Sequence, residues 1–249
     1  MIPQLRSELL KLRTTRGSLT LLASMVVLVV FIVLLHSFAL SAATLRVAAN
    51  QPKVFGWGTS IGALFAALLG ALSVTAEIRS GTILPTALVT PNRSLLIAAK
   101  SAATALAGLL VGLLAEGLVA ATASAAFAAR GIPVEITTGG FAQMLAGGAV
   151  AASLWAVLGT GIGAIVRNQV GAVAGLCVWL LLIETLLIGQ VPAFGKFMPG
   201  STAGALAGML QSADSSKLVA PAQGAALLFA YTAVAAGAGA LVTERRDLG

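Results

Sequence analysis

Apolar residues in this chain run in long unbroken blocks. They show neither the alternation of a half-buried strand nor the narrow stripe of a soluble amphipathic helix. Six blocks reach the length of about 20 apolar residues needed to cross a hydrocarbon layer: Leu19–Phe38, Trp57–Ala76, Ala102–Ala126, Gly140–Ile165, Val170–Gly189 and Gln223–Val242. The third and fourth exceed that minimum, which allows tilt or a helix that runs on into water. Continuous blocks exclude an outer-membrane barrel, whose strands alternate apolar and polar positions. The pattern predicts an all-α, polytopic membrane protein of six transmembrane helices, forming one membrane domain over residues 1–249.

The segments between the blocks are the informative ones. The opening MIPQLRSELLKLRTTR places Ile2, Leu5, Leu9 and Leu12 on one side at helical spacing, with Glu8 and Lys11 opposite. Arg6 and Arg13 border the stripe, where their stems can lie along acyl chains while their heads reach phosphates. Residues 1–16 are therefore expected to form an interfacial helix on the membrane surface. Between the fifth and sixth blocks, residues 190–220 begin and end with proline signals, and Gly200 to Leu210 is apolar but too short to cross. That predicts a re-entrant or interfacial hairpin on the outer side, packed over the outer mouth of the bundle, because backbone at membrane depth must lie against protein or water.

Residues 77–100, EIRSGTILPTALVTPNRSLLIAAK, join the second and third blocks and concentrate polar groups. Gly81 permits a turn, Thr82 to Val89 can form a short helix, Thr90–Pro91 stops it, and Arg93 to Lys100 leads into the next span. The apolar face of that short helix (Ile83, Leu84, Ala87, Leu88) exceeds what a solvated connector requires, so it is expected to dock on another protein.

Charge then sets orientation. With the N-terminus in the cytoplasm, ten of the 15 cations fall inside: Arg6, Lys11, Arg13, Arg16, Arg79, Arg93, Lys100, Arg167, Arg245 and Arg246. Arg46, Lys53, Arg130, Lys196 and Lys217 fall outside. This is the bias of the positive-inside rule, and it predicts a cytoplasmic membrane protein with both termini in the cytoplasm. The net charge of +7 is met by anionic lipid and requires no nucleic acid.

Composition and motifs narrow the chemistry. Hydrophobic residues make up 58% and charged residues 9% of the chain, against roughly 25% charged in a soluble domain. The only Gly-Lys pair, Gly195–Lys196, is followed by Phe197, so no nucleotide-cradling GxxxxGK[ST] loop exists. One histidine, His36, and one cysteine, Cys177, cannot build a multi-ligand zinc site or an internal disulfide. HExxH is absent too, so no catalytic, cofactor or metal site is expected. Glu116, near the centre of the third block, and Glu184, in the fifth, are intramembrane carboxylates, which are costly and hence candidates for a substrate path. A carboxyl bonded across a helix interface is the alternative reading of Glu116. His36 and Gln143 fall near span ends. Gly58/Gly62, Gly108/Gly112, Gly159/Gly163 and Gly171/Gly175 have the four-residue spacing that lets helices approach closely.

Glu77-Ile-Arg79-Ser-Gly81-Thr82, then Leu88-x-Thr90-Pro91-x-Arg93 and Ala98-Ala-Lys100, resemble the cytoplasmic loop of type-2 ABC transporter permeases. The opening SELLKLRTTR is similar to that family's elbow helix, and GTGIGAIVRNQVGAVAG, MPGSTAGALAG and the closing ERRDLG fit its small, six-span, actinobacterial-type members. The resemblance implies a permease subunit of an exporter for an amphipathic or lipophilic drug, peptide or lipid. It implies two copies of a separate ATPase subunit, which bind the ATP and Mg, and a second permease subunit, identical or related. Glu77, Arg79, Gly81, Thr82, Leu84, Leu88, Thr90, Pro91 and Arg93 would then form the coupling loop. Two rival readings come from other classes: a proton-coupled secondary transporter using Glu116 and Glu184, and a membrane scaffold or immunity protein that transports nothing.

Overall fold

The structure, a computed structural model, describes residues 2–82, 93–208 and 218–245. The described residues are helical, and six helices are long and apolar enough to cross a membrane. The chain is thus an all-α multi-pass membrane protein, and each of the six expected blocks lies within one of these helices.

Helix α1 (Ile2–Thr14) is followed, after a single extended residue at Thr15, by α2 (Arg16–Ala39). Short helical turns at Ala42–Leu45, Ala48–Asn50 and Pro52–Phe55 lead to α3 (Trp57–Arg79). Then come α4 (Arg93–Ala129) and α5 (Thr138–Val166). The next crossing, α6 (Gln169–Gln190), contains a π-helical turn over Trp179–Ile183. A short helix, α7 (Pro199–Leu206), precedes α8 (Pro221–Arg245).

Burial sorts these helices. Within the apolar window of each, 72% of α3 and 61% of α5 is inside the protein, against 17% for α2, α6 and α8. The centre is therefore α3 packed along α5, with α4 alongside and the others around it. Outward-facing Phe31, Leu110, Val170, Leu181, Phe229 and Val234 form the apolar exterior that lipid requires.

Small residues make the central crossing possible. A Cβ on Gly159 or Gly70 would run into the backbone of the facing helix, at Ala67 and Ala156 respectively. Where lipid removes the hydrophobic drive, backbone approach of this kind supplies the packing. Of the four glycine pairs singled out in the sequence, three lie at helix crossings, whereas a Cβ on Gly171 would meet Val166 and Asn168 at the adjoining turn and one on Gly175 would meet nothing within 4 Å among the described residues.

Helix ends follow local signals. At the end of α3, Gly81 is left-handed (φ 70°), Thr82 N–H donates to the Glu77 carbonyl at 3.0 Å, and Gly81 N–H donates to that of Ile78 at 3.2 Å. This Schellman closure bears out the turn expected at Gly81. The short helix expected over Thr82 to Val89, with Leu84, Leu88, Thr90 and Pro91, falls on residues 83–92, outside the described ones. Helix α4 starts at Arg93 rather than Ala102, so its midpoint falls at Val111 and Glu116 lies beyond it.

Candidate functional site

Two sites of unusual chemistry stand at opposite ends of the bundle. The end that carries α1 and the last turn of α8 is the proximal end; the other is distal.

At the proximal end, four side chains from three helices close a ring. Glu8 of α1 bonds Lys11 through Oε1 (2.7 Å) and Lys100 of α4 through Oε2 (2.7 Å). Glu77 Oε1, from the last turn of α3, accepts from Lys11 at 2.8 Å and forms an ion pair with Lys100 at 2.8 Å. Lys100 also donates to the Ser73 carbonyl at 3.2 Å. Its side chain is fully buried, and Glu8 is 5% exposed. Taking charges out of water is costly unless they are paired and hydrogen-bonded, and here two cations each bridge two carboxylates. Burial lowers the affinity of the Lys11 ammonium for its proton, but hydrogen bonds and attraction from Glu77 and Glu8 outweigh that and raise its pKa above the ordinary 10.5.

This ring corrects the expected disposition of α1. Glu8 does not face away from the apolar stripe. It turns inward beside half-buried Leu5, Leu9 and Leu12, because its partner Lys100 sits inside the bundle. Lys100, read from the sequence as part of the lead into the third span, is an interior residue. Of the other predicted loop residues, Arg79 ends α3 exposed, the Thr82 hydroxyl lies 2.9 Å from that of Ser80, and Arg93 opens α4.

At the distal end, a cavity of about 560 Å³ opens between α3, α6 and α7. Glu184 lines it, 2% exposed. The π turn at Trp179–Ile183 immediately precedes this residue; a π turn carries i→i+5 bonds and is frequent at functional sites. Glu184 Oε1 accepts the backbone N–H groups of Gly200 (2.5 Å) and Ser201 (3.0 Å), two donors in the first turn of α7 that have no partner within that helix. The Trp179 indole approaches the same carboxylate without completing a hydrogen bond to Oε2. Among the described residues, Glu184 Oε2, Ser201 Oγ and Trp57 Nε1 are buried without a partner.

Glu116 stands behind the cavity wall. Thr59, which lines the cavity, donates its hydroxyl to Glu116 Oε1 at 2.6 Å. The carboxylate is enclosed by Gly58 and Gly148, where a Cβ would fall on it. The structure thus brings Glu184 into the cavity and leaves Glu116 as a bond across the α3–α4 interface. His36 packs against Trp57, with ring centroids 4.8 Å apart and ring planes tilted by 53°, and Gln143 is exposed. The sequence reading missed Trp57, Thr59 and Ser201. The nearest signal was the hairpin itself, since a helix start within it needs an acceptor for its amides.

Comparison with models of known protein families and with curated protein sequences finds no match.

Proposed function

We propose that this chain is the membrane subunit of an ATP-driven exporter for amphipathic molecules, powered by a separate ATPase that docks on the 77–100 loop. The observation that carries this reading is the proximal ring. Glu77 and Lys100 are the two roots of that loop, and Glu8 and Lys11 tie both to α1. A push on the loop therefore reaches α1, α3 and α4 together instead of being absorbed by a slack connector. In this reading the proximal end is cytoplasmic, α1 is an elbow helix at the interface, residues 190–220 form a re-entrant cap over the outer mouth, and the distal cavity lies on the export path. The chain has no phosphate-binding loop, so ATP is hydrolysed by the partner.

Affinity purification in mild detergent, followed by mass determination of the intact complex, tests this reading. The expected result is two permease chains with two copies of a P-loop ATPase. Recovery of the chain without any ATPase, from cells in which it is active, would overturn it. A second reading rests on Glu116 and Glu184, which each keep one oxygen unpartnered among the described residues, on either side of the Thr59 wall. Proton-coupled uptake by the purified chain alone would favour that reading.

A further inference from the structure

We infer that the distal cavity binds an amphipathic amine, with its protonated amino group on Glu184 Oε2 and Ser201 Oγ and its apolar body along Leu64, Leu180 and Ile188. This deepens the transport reading by naming a substrate class, and it rests on that reading only for movement; binding is a property of the chain alone.

The cavity's chemistry selects the ligand. Its volume of about 560 Å³ falls within the range of small-molecule pockets. Among the described residues no Lys or Arg lines it, and Glu184 is the one charged group in the lining. A carboxylate can only accept hydrogen bonds. Oε1 is already held by two amides of α7, which fixes the group and leaves Oε2 to be satisfied. Ser201 Oγ, a second buried atom lacking a partner among the described residues, belongs to the same lining. An ammonium supplies several donors and the opposite charge at once, whereas a neutral alcohol supplies one donor and no charge. Trp57, also in the lining, has a buried Nε1–H that has no partner among the described residues and can meet an acceptor on the ligand. The remaining wall is largely aliphatic and small, so an apolar body completes the fit.

The test uses the full chain in zwitterionic lipid nanodiscs, without ATP. Two probes are titrated: dansylcadaverine, a fluorescent primary amine, and the N-pentyl dansylamide that lacks the amino group. Energy transfer from tryptophan reports binding, since Trp57 lines the cavity and Trp179 stands beside Glu184. The amine is expected to bind at least about tenfold tighter than the neutral probe, a difference of about 1.4 kcal/mol. Glu184→Gln keeps an acceptor for the α7 amides and should bring the amine down to the neutral probe's affinity. Ser60→Phe, at an exposed position in the cavity lining, should weaken both probes while leaving the carboxylate in place, which covers the case in which Glu184→Gln does not fold. Equal binding of the two probes, or amine binding unchanged by either variant, would overturn the assignment. Equal probe binding in a chain that still exports with its ATPase rejects the amine and spares the transport reading. Selective amine binding by a chain that recruits no ATPase upholds the site and rejects that reading.

Discussion

Both ends of the bundle bury carboxylates, but they neutralise them in opposite ways. At the proximal end Glu8 and Glu77 are matched by Lys11 and Lys100, so the cluster carries no net charge and closes on itself. At the distal end Glu184 and Glu116 meet only neutral donors, two amides and one hydroxyl, and each keeps an oxygen unpartnered among the described residues. The neutral ring leaves only Glu77 Oε2 unpartnered among the described residues, has no net charge to offer a ligand, and its worth lies in holding three helices at fixed spacing. An open carboxylate beside a cavity has bonding capacity to spare. The first arrangement suits a brace and the second a binding site.

The largest effect should come from opening the ring. Lys100→Met leaves Glu8 and Glu77 sharing Lys11 alone, and removing one partner of a buried ion pair costs about 3–5 kcal/mol. Thermal unfolding in detergent should show that loss. Adding Glu8→Leu, which leaves the Lys11–Glu77 pair neutral, should recover most of it. If the single variant is as stable as the parent, the ring is not a brace.

Next in size is Gly148→Ala. Its Cβ would fall on the Glu116 side chain, and overpacking of this kind costs about 1–3 kcal/mol. Glu116→Gln should be milder, at about 1 kcal/mol or less, because Gln still accepts from Thr59. Transport by Glu116→Gln that matches the parent at every pH would mark Glu116 as a structural bond. A pH-dependent defect would instead draw Glu116 into the path and blur the contrast with Glu184.

The smallest effect is a pH dependence at the brace. Folding raises the Lys11 pKa above 10.5, so the folded state holds that proton more tightly than the unfolded one. The stabilisation is complete below about 10.5 and is lost as pH rises through the raised value. Unfolding temperature should therefore fall more steeply above that pH in the parent than in Lys11→Met. Parallel curves would remove Lys11 from the ring.

How far the sequence anticipated these two ends depends on the kind of signal each carries. The six crossings were legible because bilayer length and apolar continuity dictate them locally, and all six expected blocks lie inside the observed helices. The stop at Gly81 was legible for the same local reason, since it ends α3 in the left-handed region. The start of α4 was not: Leu95, Leu96 and Ile97 continue the helix through a stretch read as a polar lead. The ring joins residues 66 and 92 positions apart. Topology placed all four of its members on one side, but pairing them requires the packing of α1 against α3 and α4. The cavity was half visible. Glu184 stood out as an intramembrane charge, whereas Ser201 and Trp57 acquire meaning only when α7 folds back to give Glu184 its amides.

The proposed export function requires the proximal ring to move as one rigid piece with the loop it anchors while the distal cavity changes shape. The most direct measurement is a pair of spin-label distances in the complex with the proposed ATPase, taken with and without trapped ATP. One pair joins Leu10 on α1 to Ser80 at the loop root, and the other joins Ser60 to Thr185 across the cavity; all four positions are exposed. The account predicts an unchanged Leu10–Ser80 distance and a shifted Ser60–Thr185 distance. A proximal pair that separates while the cavity pair stays fixed would contradict it.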